Sequence, residues 1–314
     1  MKKEEFYFDS RDNQSRIHAV RYTPEDREPV CVVQIIHGMA EYIERYEEFA
    51  RFLTERGCVV TGNDHLGHGK SVGEDGLYGY FCEQDPATVV VRDVHRLKKM
   101  TQQAYPGLPY VIVGHSMGSF ILREYLSMYG SGMTEAVIMG TGYQTRGTMM
   151  AAGLIVKLQK IFLGSRHVSR FSDKVIFGSY NKRIPDARTE FDWLCKDEES
   201  VRRYIEDPLC GRIFTLNGFQ TLTELIVRAH DPKRLQKIPA DLPLMVISGD
   251  ADPLGGYGEG IPKVCGGLRS AGVKDVEMHL CETGRHELLN EPERVRIMEE
   301  IFSWIQKHCM KADE

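Results

Sequence analysis

The sequence lacks any run of about 18 apolar residues, the length at which a helix can cross a bilayer. Its charged N-terminus, residues 1–5, is not followed by the uncharged apolar stretch of a signal peptide. The eight cysteines are scattered, and no two of them show the close spacing of a zinc or redox motif. These absences predict a cytoplasmic protein without a membrane span, whose cysteines are ordinary thiols.

An excess of positive charge is also missing. Lysine and arginine number 40 against 45 aspartates and glutamates, giving a formal net charge of −5, so nucleic acid is not an expected partner. Hydrophobic residues at 42% and charged residues at 27% are typical of a globular protein with a large core. A length of 314 residues suits one α/β core that carries an insertion.

Short apolar runs alternate with segments of helical periodicity. The pattern predicts an α/β fold with a mostly parallel central sheet and helices on both faces. The runs lie at 30–36, 58–62, 110–113, 136–139, 244–248 and 276–280. Two further strands, at 5–8 and 15–22, are predicted to form an antiparallel hairpin, and both are predicted to be edge strands of the sheet.

The alternation stops after Gly142 and resumes at Leu244, and the residues between them are mostly helical in pattern. We therefore predict a core in two parts, 1–143 and 241–314, with a helical cap inserted at 144–240. Within the cap, an apolar stripe shares one helical face. It comprises Leu154, Ile155, Leu158, Ile161 and Phe162. Burial of this stripe over the core or the pocket is the favoured interpretation, since such stripes are usually buried, and transient contact with a membrane surface is the alternative.

The sequence Gly114-His115-Ser116-Met117-Gly118 follows a predicted buried strand and precedes a predicted helix. This is the pattern of a nucleophile elbow, in which a tight turn presents the serine at the start of the helix and leaves no room for bulky neighbours. Alone the pattern could be an ordinary turn, but its position between strand and helix favours Ser116 as a nucleophile.

A serine hydroxyl needs a histidine to take its proton and a carboxylate to orient that histidine. Enzymes with this elbow carry the acid and then the histidine later in the chain. Asp252 and His286 stand in that order, each just after a predicted strand. Asp250 competes with Asp252 for the acid role, because a small loop shift would exchange them.

His37-Gly38-Met39 follows the strand predicted at 30–36, where such enzymes place a second oxyanion donor. The backbone amides of Met39 and Met117 are therefore the predicted oxyanion hole. His37, Gly38 and His115 are further predicted to border the substrate, with His115 packing behind the elbow.

The segment 63–71 mixes one aspartate, two histidines and two glycines, which could suggest a metal or phosphate site. It lacks the full ligand spacing of a zinc site and the glycine pattern of a phosphate loop. A hydrogen-bonded loop that braces the active-site floor is the preferred interpretation, and neither a metal nor a cofactor is expected.

Taken together, these motifs resemble the monoacylglycerol lipase and lysophospholipase group of α/β-hydrolases, often classed with serine aminopeptidases S33. Cap motifs at 177–182, 192–194 and 207–211 extend the resemblance to nearly the whole chain. It implies the α/β-hydrolase fold and hydrolysis of carboxylic esters of single-chain lipids through an acyl-enzyme, and it favours Asp252 over Asp250. The alternatives are a peptidase or amidase with the same triad, a small-ester carboxylesterase, and a binding protein without activity.

Overall fold

The central sheet has eight strands in the order β1-β2-β4-β3-β5-β6-β7-β8 in the computed structural model, which describes residues 1–185 and 187–309. The strands β3 to β8 are parallel to one another, and β1 and β2 run antiparallel to their neighbours. Their bounds are β1 Lys2–Asp9, β2 Arg16–Thr23, β3 Cys31–Ile36, β4 Cys58–Asn63, β5 Tyr110–His115, β6 Glu135–Met139, β7 Leu244–Gly249 and β8 Val276–Cys281.

Ten α-helices connect and cover these strands in the described residues. The bounds are α1 Glu47–Thr54, α2 Pro86–Ala104, α3 Met117–Tyr129, α4 Arg146–Leu163, α5 Arg170–Phe177, α6 Glu198–Glu206, α7 Leu216–Ala229, α8 Pro232–Leu235, α9 Ile261–Ser270 and α10 Arg294–Cys309. Their alternation with the strands confirms the predicted α/β class.

Every residue of β3 and β5 is buried, because apolar layers lie on both faces of the sheet. On one face Val111 and Val113 pack in a cluster with residues of α1 and α10. On the other face Ile112 packs in a cluster with residues of α2, α3 and α7. Burial on both faces explains why these strands are continuous apolar runs in the sequence.

The N-terminal hairpin forms as predicted, but the prediction that both of its strands are edge strands is wrong. Only β1 is at the edge, because β2 pairs with β1 on one side and with β4 on the other. The pairing of β2 with β4 joins residues about forty positions apart, from Ala19–Asn63 to Tyr22–Val60. Local turn signals do not reveal a partner at that distance.

The apolar stripe on α4 is mostly exposed, so the preferred expectation of burial is wrong. Phe162 is 81% exposed, Ile161 68% and Leu158 49%, whereas Val156 on the opposite side is buried and faces α7. An exposed apolar stripe and a buried one have the same helical periodicity. Periodicity alone therefore cannot tell whether such a stripe is buried or exposed.

The boundaries proposed for the cap stay a prediction. α7 falls inside the predicted cap range, yet its Phe219, Leu222 and Leu225 share one apolar cluster with Phe120 of α3. In the described part of the chain, no helix combines the length and the apolar character needed to cross a bilayer.

Candidate active site

Ser116 stands at the sharp turn between β5 and α3. Its backbone has φ 56° and ψ −121°, a conformation that residues with a side chain rarely adopt. Backbone hydrogen bonds hold the turn, since the Ser116 amide donates to the Met139 carbonyl at 3.1 Å and the Ser119 hydroxyl donates to the Ser116 carbonyl at 2.6 Å. Strain that is maintained in this way is characteristic of a functional position.

The glycines around Ser116 are required by close backbone contacts. A Cβ atom on Gly114 would lie 2.5 Å from the Gly118 carbonyl oxygen, and one on Gly118 would lie 2.1 Å from the Ile36 oxygen. A Cβ on Gly38 would lie 3.0 Å from the Ser116 Cβ atom. The elbow, the end of β3 and the loop after β3 are thus packed directly against each other.

Gly118→Ala is expected to destabilise the protein by about 3 kcal/mol, because the added methyl overlaps backbone atoms of β3 that cannot rotate away. Gly153→Ala is the matched control, since a Cβ at Gly153 in α4 meets nothing within 4 Å. That control should raise the free energy of unfolding, by up to about 1 kcal/mol. Urea unfolding measures both, and equal effects of the two changes would contradict the packing described for the elbow.

His286 and Asp252 form a hydrogen-bonded pair on two loops that leave the sheet at the same edge as the elbow. The Nδ1 atom of His286 lies 2.9 Å from Oδ2 of Asp252, and both side chains are buried. The other carboxylate oxygen of Asp252 accepts a hydrogen bond from the Leu254 amide at 2.8 Å. Asp250 makes no hydrogen bond to His286 within the described residues, and the geometry therefore favours Asp252 as the acid.

This pairing leaves Nε2 as the ring nitrogen of His286 that can exchange a proton with a serine. No hydrogen bond joins that nitrogen to the Ser116 hydroxyl among the residues that the structure describes. In an unliganded site such bonds are often long and shorten only with substrate bound.

The loop after β3 is fixed by the side chain of His37. The His65 amide donates to His37 Nε2 at 3.0 Å, which leaves the ring proton on Nδ1, and that proton is donated to the Gly38 carbonyl at 2.8 Å. Burial lowers the pKa of His37 to about 3, so the ring is neutral near pH 7. With both nitrogens engaged, His37 orients the loop, and its predicted contact with substrate stays a prediction.

The role of Met39 and Met117 as oxyanion donors stays a prediction, and the structure places both residues close to Ser116. Met117 is the first residue of α3, where backbone N–H groups have no partner inside the helix. Met39 follows Gly38, which touches Ser116. The amide of Gly38 donates a hydrogen bond to the carboxylate of Glu41 at 2.5 Å. It is therefore already engaged and is not an oxyanion donor in this arrangement.

The segment 63–71 takes the structural role expected of it. Asp64 accepts hydrogen bonds from the Ile43 amide at 2.9 Å and the Lys70 amide at 2.8 Å, and its Oδ2 atom lies 2.8 Å from His18 Nδ1. Through His65 the same segment contacts His37. The loop thereby supports the residues that precede Met39.

A family model described as "Serine aminopeptidase, S33" matches residues 27–293. The chain belongs to this family. Monoacylglycerol lipase of Mycolicibacterium smegmatis is 26% identical over 290 residues, which are 91% of each chain. Monoglyceride lipase of Rattus norvegicus is 35% identical over 302 residues, covering 93% of this chain and 88% of the relative.

A solved structure of a highly thermostable carboxyl esterase from Bacillus coagulans, in complex with glycerol, superposes with a TM-score of 0.90. It is 29% identical and covers 98% of this chain and 99% of its own. These findings confirm the predicted α/β-hydrolase fold and the predicted class of serine ester hydrolase.

A network of buried charged side chains lies next to the loop that carries His286. This network was not predicted from the sequence. Arg45 donates to Glu41 at 2.6 Å and to both carboxylate oxygens of Glu287 at 2.7 and 2.8 Å. Glu41 also accepts from the Tyr46 hydroxyl at 2.8 Å. Helical spacing of Arg45 four residues after Glu41 was a visible signal, but the pairing with Glu287 spans 242 positions.

His115 belongs to this network, as its predicted place behind the elbow requires. Its Nδ1 lies 2.9 Å from the Tyr46 hydroxyl and 3.3 Å from Glu41, and its Nε2 lies 3.2 Å from the His286 carbonyl. Burial opposes the charged form, but the hydrogen bond and charge of Glu41 raise the pKa of His115 above its usual value. The protonated form of the ring donates from both nitrogens, one of them to the His286 carbonyl.

The segment predicted as the cap brings Trp193 against His286; the motif at 192–194 belongs to the family resemblance, but nothing in the sequence indicated this contact. Its indole lies 5.0 Å from the His286 ring, centroid to centroid, and its carbonyl accepts from the His286 amide at 3.4 Å. The neighbouring Leu194 carbonyl accepts from the Glu287 amide at 2.6 Å. The cap therefore packs directly against the histidine loop.

Among the residues that the structure describes, two groups of side chains could each offer three metal ligands, and neither includes a residue of the Ser116 site. They are Glu5, His18 and Glu44, and Asp275, Glu277 and His308. In the first group Lys70 already pairs with Glu5 at 2.7 Å and with Glu44 at 2.9 Å. The ammonium group of Lys70 therefore competes with a metal ion for these carboxylates. We assign no metal role to either group.

Proposed function

We propose that this protein hydrolyses carboxylic esters of single-chain lipids, above all monoacylglycerols, through an acyl intermediate on Ser116. The observation that carries the proposal is the His286–Asp252 pair at the same sheet edge as the strained Ser116 elbow. His286 would take the proton of Ser116 as the hydroxyl attacks the ester carbonyl, and it would then return that proton to the leaving alcohol. A water molecule would cleave the acyl-enzyme by the same route.

The amides of Met39 and Met117 would stabilise the negative oxygen of the tetrahedral intermediate. Interactions that strengthen as charge develops lower the barrier, and removal of one such donor typically costs about a hundred- to a thousand-fold in kcat. The contacts of His37 and Glu41 with Gly38 hold the first donor in place before substrate binds. Preorganisation of this kind suits the site to acyl transfer.

The choice of a lipid substrate rests on the relatives and on the cap. Relatives named monoacylglycerol and monoglyceride lipases match this chain over about nine-tenths of its length. The α4 stripe, together with Phe171 and Val175 of α5, leaves large apolar side chains exposed. Exposed apolar groups on the cap favour contact with a lipid surface, from which a single-chain ester could enter.

A peptidase is the second candidate, because the family description names an aminopeptidase. An aminopeptidase requires a carboxylate free to bind the ammonium group of its substrate. Two buried carboxylates beside His286, those of Glu41 and Glu287, are both paired with Arg45. That pairing favours the esterase over the peptidase.

Specificity constants for p-nitrophenyl esters, monoacylglycerols and aminoacyl p-nitroanilides distinguish these functions. We expect kcat/KM to rise from acetyl to at least medium-chain acyl groups, because each buried methylene contributes about 0.8 kcal/mol. Monoacylglycerols should be cleaved and the anilides should not. A maximum at the acetyl ester, or faster cleavage of the anilides, would refute the lipid substrate.

Phe162→Asp is expected to lower the rate on vesicle-bound monoacylglycerol by about tenfold, since burial of such a ring contributes about 1.5–3 kcal/mol. Hydrolysis of a soluble short-chain ester should change little. Val295→Asp is the control, because Val295 is also exposed, at 58%, but lies on α10 rather than on the cap. Equal effects of both variants on vesicles would contradict a role of the cap face at lipid surfaces.

The cellular compartment is proposed from the thiols. All eight cysteines are free, and all are buried. Free thiols are maintained in reducing compartments, which supports the cytoplasm.

A further inference from the structure

Ala40, in the loop after Met39, has a backbone conformation that its side chain disfavours. Its φ of 54° lies in the left-handed region, which favours glycine because a Cβ atom crowds the backbone there. Something in the surrounding structure must therefore maintain this conformation.

The cap supplies two hydrogen bonds to the carbonyl of Ala40. The hydroxyl of Tyr204, at the end of α6, donates at 3.1 Å, and the amide of Gly211 donates at 2.9 Å. Tyr204 is buried, and the Arg45 guanidinium lies 4.9 Å from the centre of its ring. Burial of the ring and its contact with Arg45 hold the donor hydroxyl in place.

The part of the cap around Tyr204 contacts the loop after β3 at a second point, Tyr42. The Tyr42 hydroxyl donates to Asp207 at 2.8 Å. Leu194, Tyr204 and Cys210 form a small apolar cluster against which Tyr42 packs. Tyr204 therefore lies in a fixed part of the cap rather than on a freely moving segment.

Met39 is the residue whose amide orientation depends on these contacts. On one side Gly38 is fixed through its amide by Glu41 and through its carbonyl by His37. On the other side Ala40 is fixed through its carbonyl by Tyr204 and Gly211. Loss of either support would let the Met39 N–H turn away from the position of the oxyanion.

We infer that Tyr204 is a positioning residue for the oxyanion hole, acting from the cap by holding Ala40 in its left-handed conformation. The inference rests on the proposed function, since it assigns the Met39 amide to the oxyanion. It gives the cap a part in the chemical step that is separate from its contact with lipid. Tyr204 touches no reacting atom in this account.

Tyr204→Phe retains the ring and removes only the hydroxyl. We expect kcat to fall by about tenfold for short and long esters alike, a part of the loss typical for a missing oxyanion donor, while KM stays within about twofold. Affinity for a boronic acid, which forms a tetrahedral adduct on the serine, should fall in parallel with kcat. Tyr125→Phe is the matched control, because that buried hydroxyl lies 3.0 Å from His95 in the core, and it should leave kcat unchanged.

An Ala40→Gly background separates positioning from a general loss of packing. Glycine adopts the left-handed conformation without the penalty of a side chain, and removal of the Tyr204 hydroxyl should then cost less than about threefold in kcat. Equal losses in both backgrounds, or a loss confined to KM, would overturn the inference. The four proteins are the parent, Tyr204→Phe, Ala40→Gly and the double variant. Their melting temperatures establish that each is folded at the assay temperature.

Failure of this inference can be distinguished from failure of the proposed function. A parent enzyme that cleaves esters, with Tyr204→Phe equally active, would refute only the positioning role. A parent that cleaves no ester and forms no boronate adduct would refute the proposed function and the inference with it.

Discussion

Ser116→Ala is expected to lower kcat for ester hydrolysis by on the order of a million-fold, to near the background rate. The reason is that Ser116 is the nucleophile in the proposed reaction, and an alanine has no atom that can form the acyl ester. The fold should persist, because the hydrogen bonds described for Ser116 use its backbone, which alanine retains. Steady-state hydrolysis of a medium-chain p-nitrophenyl ester measures the effect.

Ser127→Ala provides the control for this experiment. Ser127 lies on α3, the helix that follows Ser116, and its hydroxyl donates to the Glu124 carbonyl at 2.8 Å, away from the site. It should retain the parental rate, and the melting temperature of Ser116→Ala should stay within about 2 °C of the parent. A Ser116→Ala protein that retained a tenth of the parental kcat would refute the nucleophile assignment.

His286→Ala should be about as damaging as loss of the serine, because the members of a catalytic triad act as one unit. Asp252→Asn should cost less, on the order of ten-thousand-fold in kcat, since the carboxylate orients the imidazole and does not itself react. An asparagine at 252 would leave His286 in the wrong tautomer, with Nδ1 no longer favoured as the protonated nitrogen. Both effects should appear in kcat.

Asp250→Asn is the matched control for the carboxylate, because it stands two positions away on the same loop and makes no described hydrogen bond to His286. We expect it to change kcat by less than about threefold. The reverse ranking of the two aspartates would transfer the acid role to Asp250 and would leave the fold assignment intact. Equal and large losses would show instead that the loop as a whole tolerates no change.

The sequence predicted the positions of Ser116, Asp252 and His286 because each follows a strand that is recognisable by its apolar run. Parallel strands end at one edge of the sheet, so residues just after them meet in space. The strand bounds also agree closely, as with β5 at Tyr110–His115 against a prediction of 110–113. Local sequence pattern was sufficient to predict these residues, because the parallel sheet brings the ends of its strands together.

The contributions of the cap could not be predicted in this way. Tyr204 and Ala40 are 164 positions apart, and Trp193 meets His286 from a different segment of the chain. No periodicity records such a contact, because it depends on how the inserted helices pack on the core. The predicted burial of the α4 stripe was wrong for a related reason. Helical periodicity predicts an apolar face but does not predict what covers that face.

The segment predicted as the cap contacts two of the loops that surround Ser116. Trp193 and Leu194 contact the loop that carries His286, while Tyr204 and Gly211 contact Ala40 in the loop after β3. Changes in the cap could therefore alter kcat as well as acyl preference. Engineering of the exposed α4 face should be kept apart from residues 191–211 for that reason.

The central claim, that Ser116 is the activated nucleophile of an ester hydrolase, is tested most directly by reaction with a fluorophosphonate followed by peptide mapping. We expect one equivalent of label per chain, on Ser116, and a parallel loss of ester hydrolysis. Prior denaturation or the His286→Ala change should prevent labelling, because the serine is then no longer activated. A folded protein that takes up no label, or takes it up at another residue while hydrolysing esters, would contradict the claim.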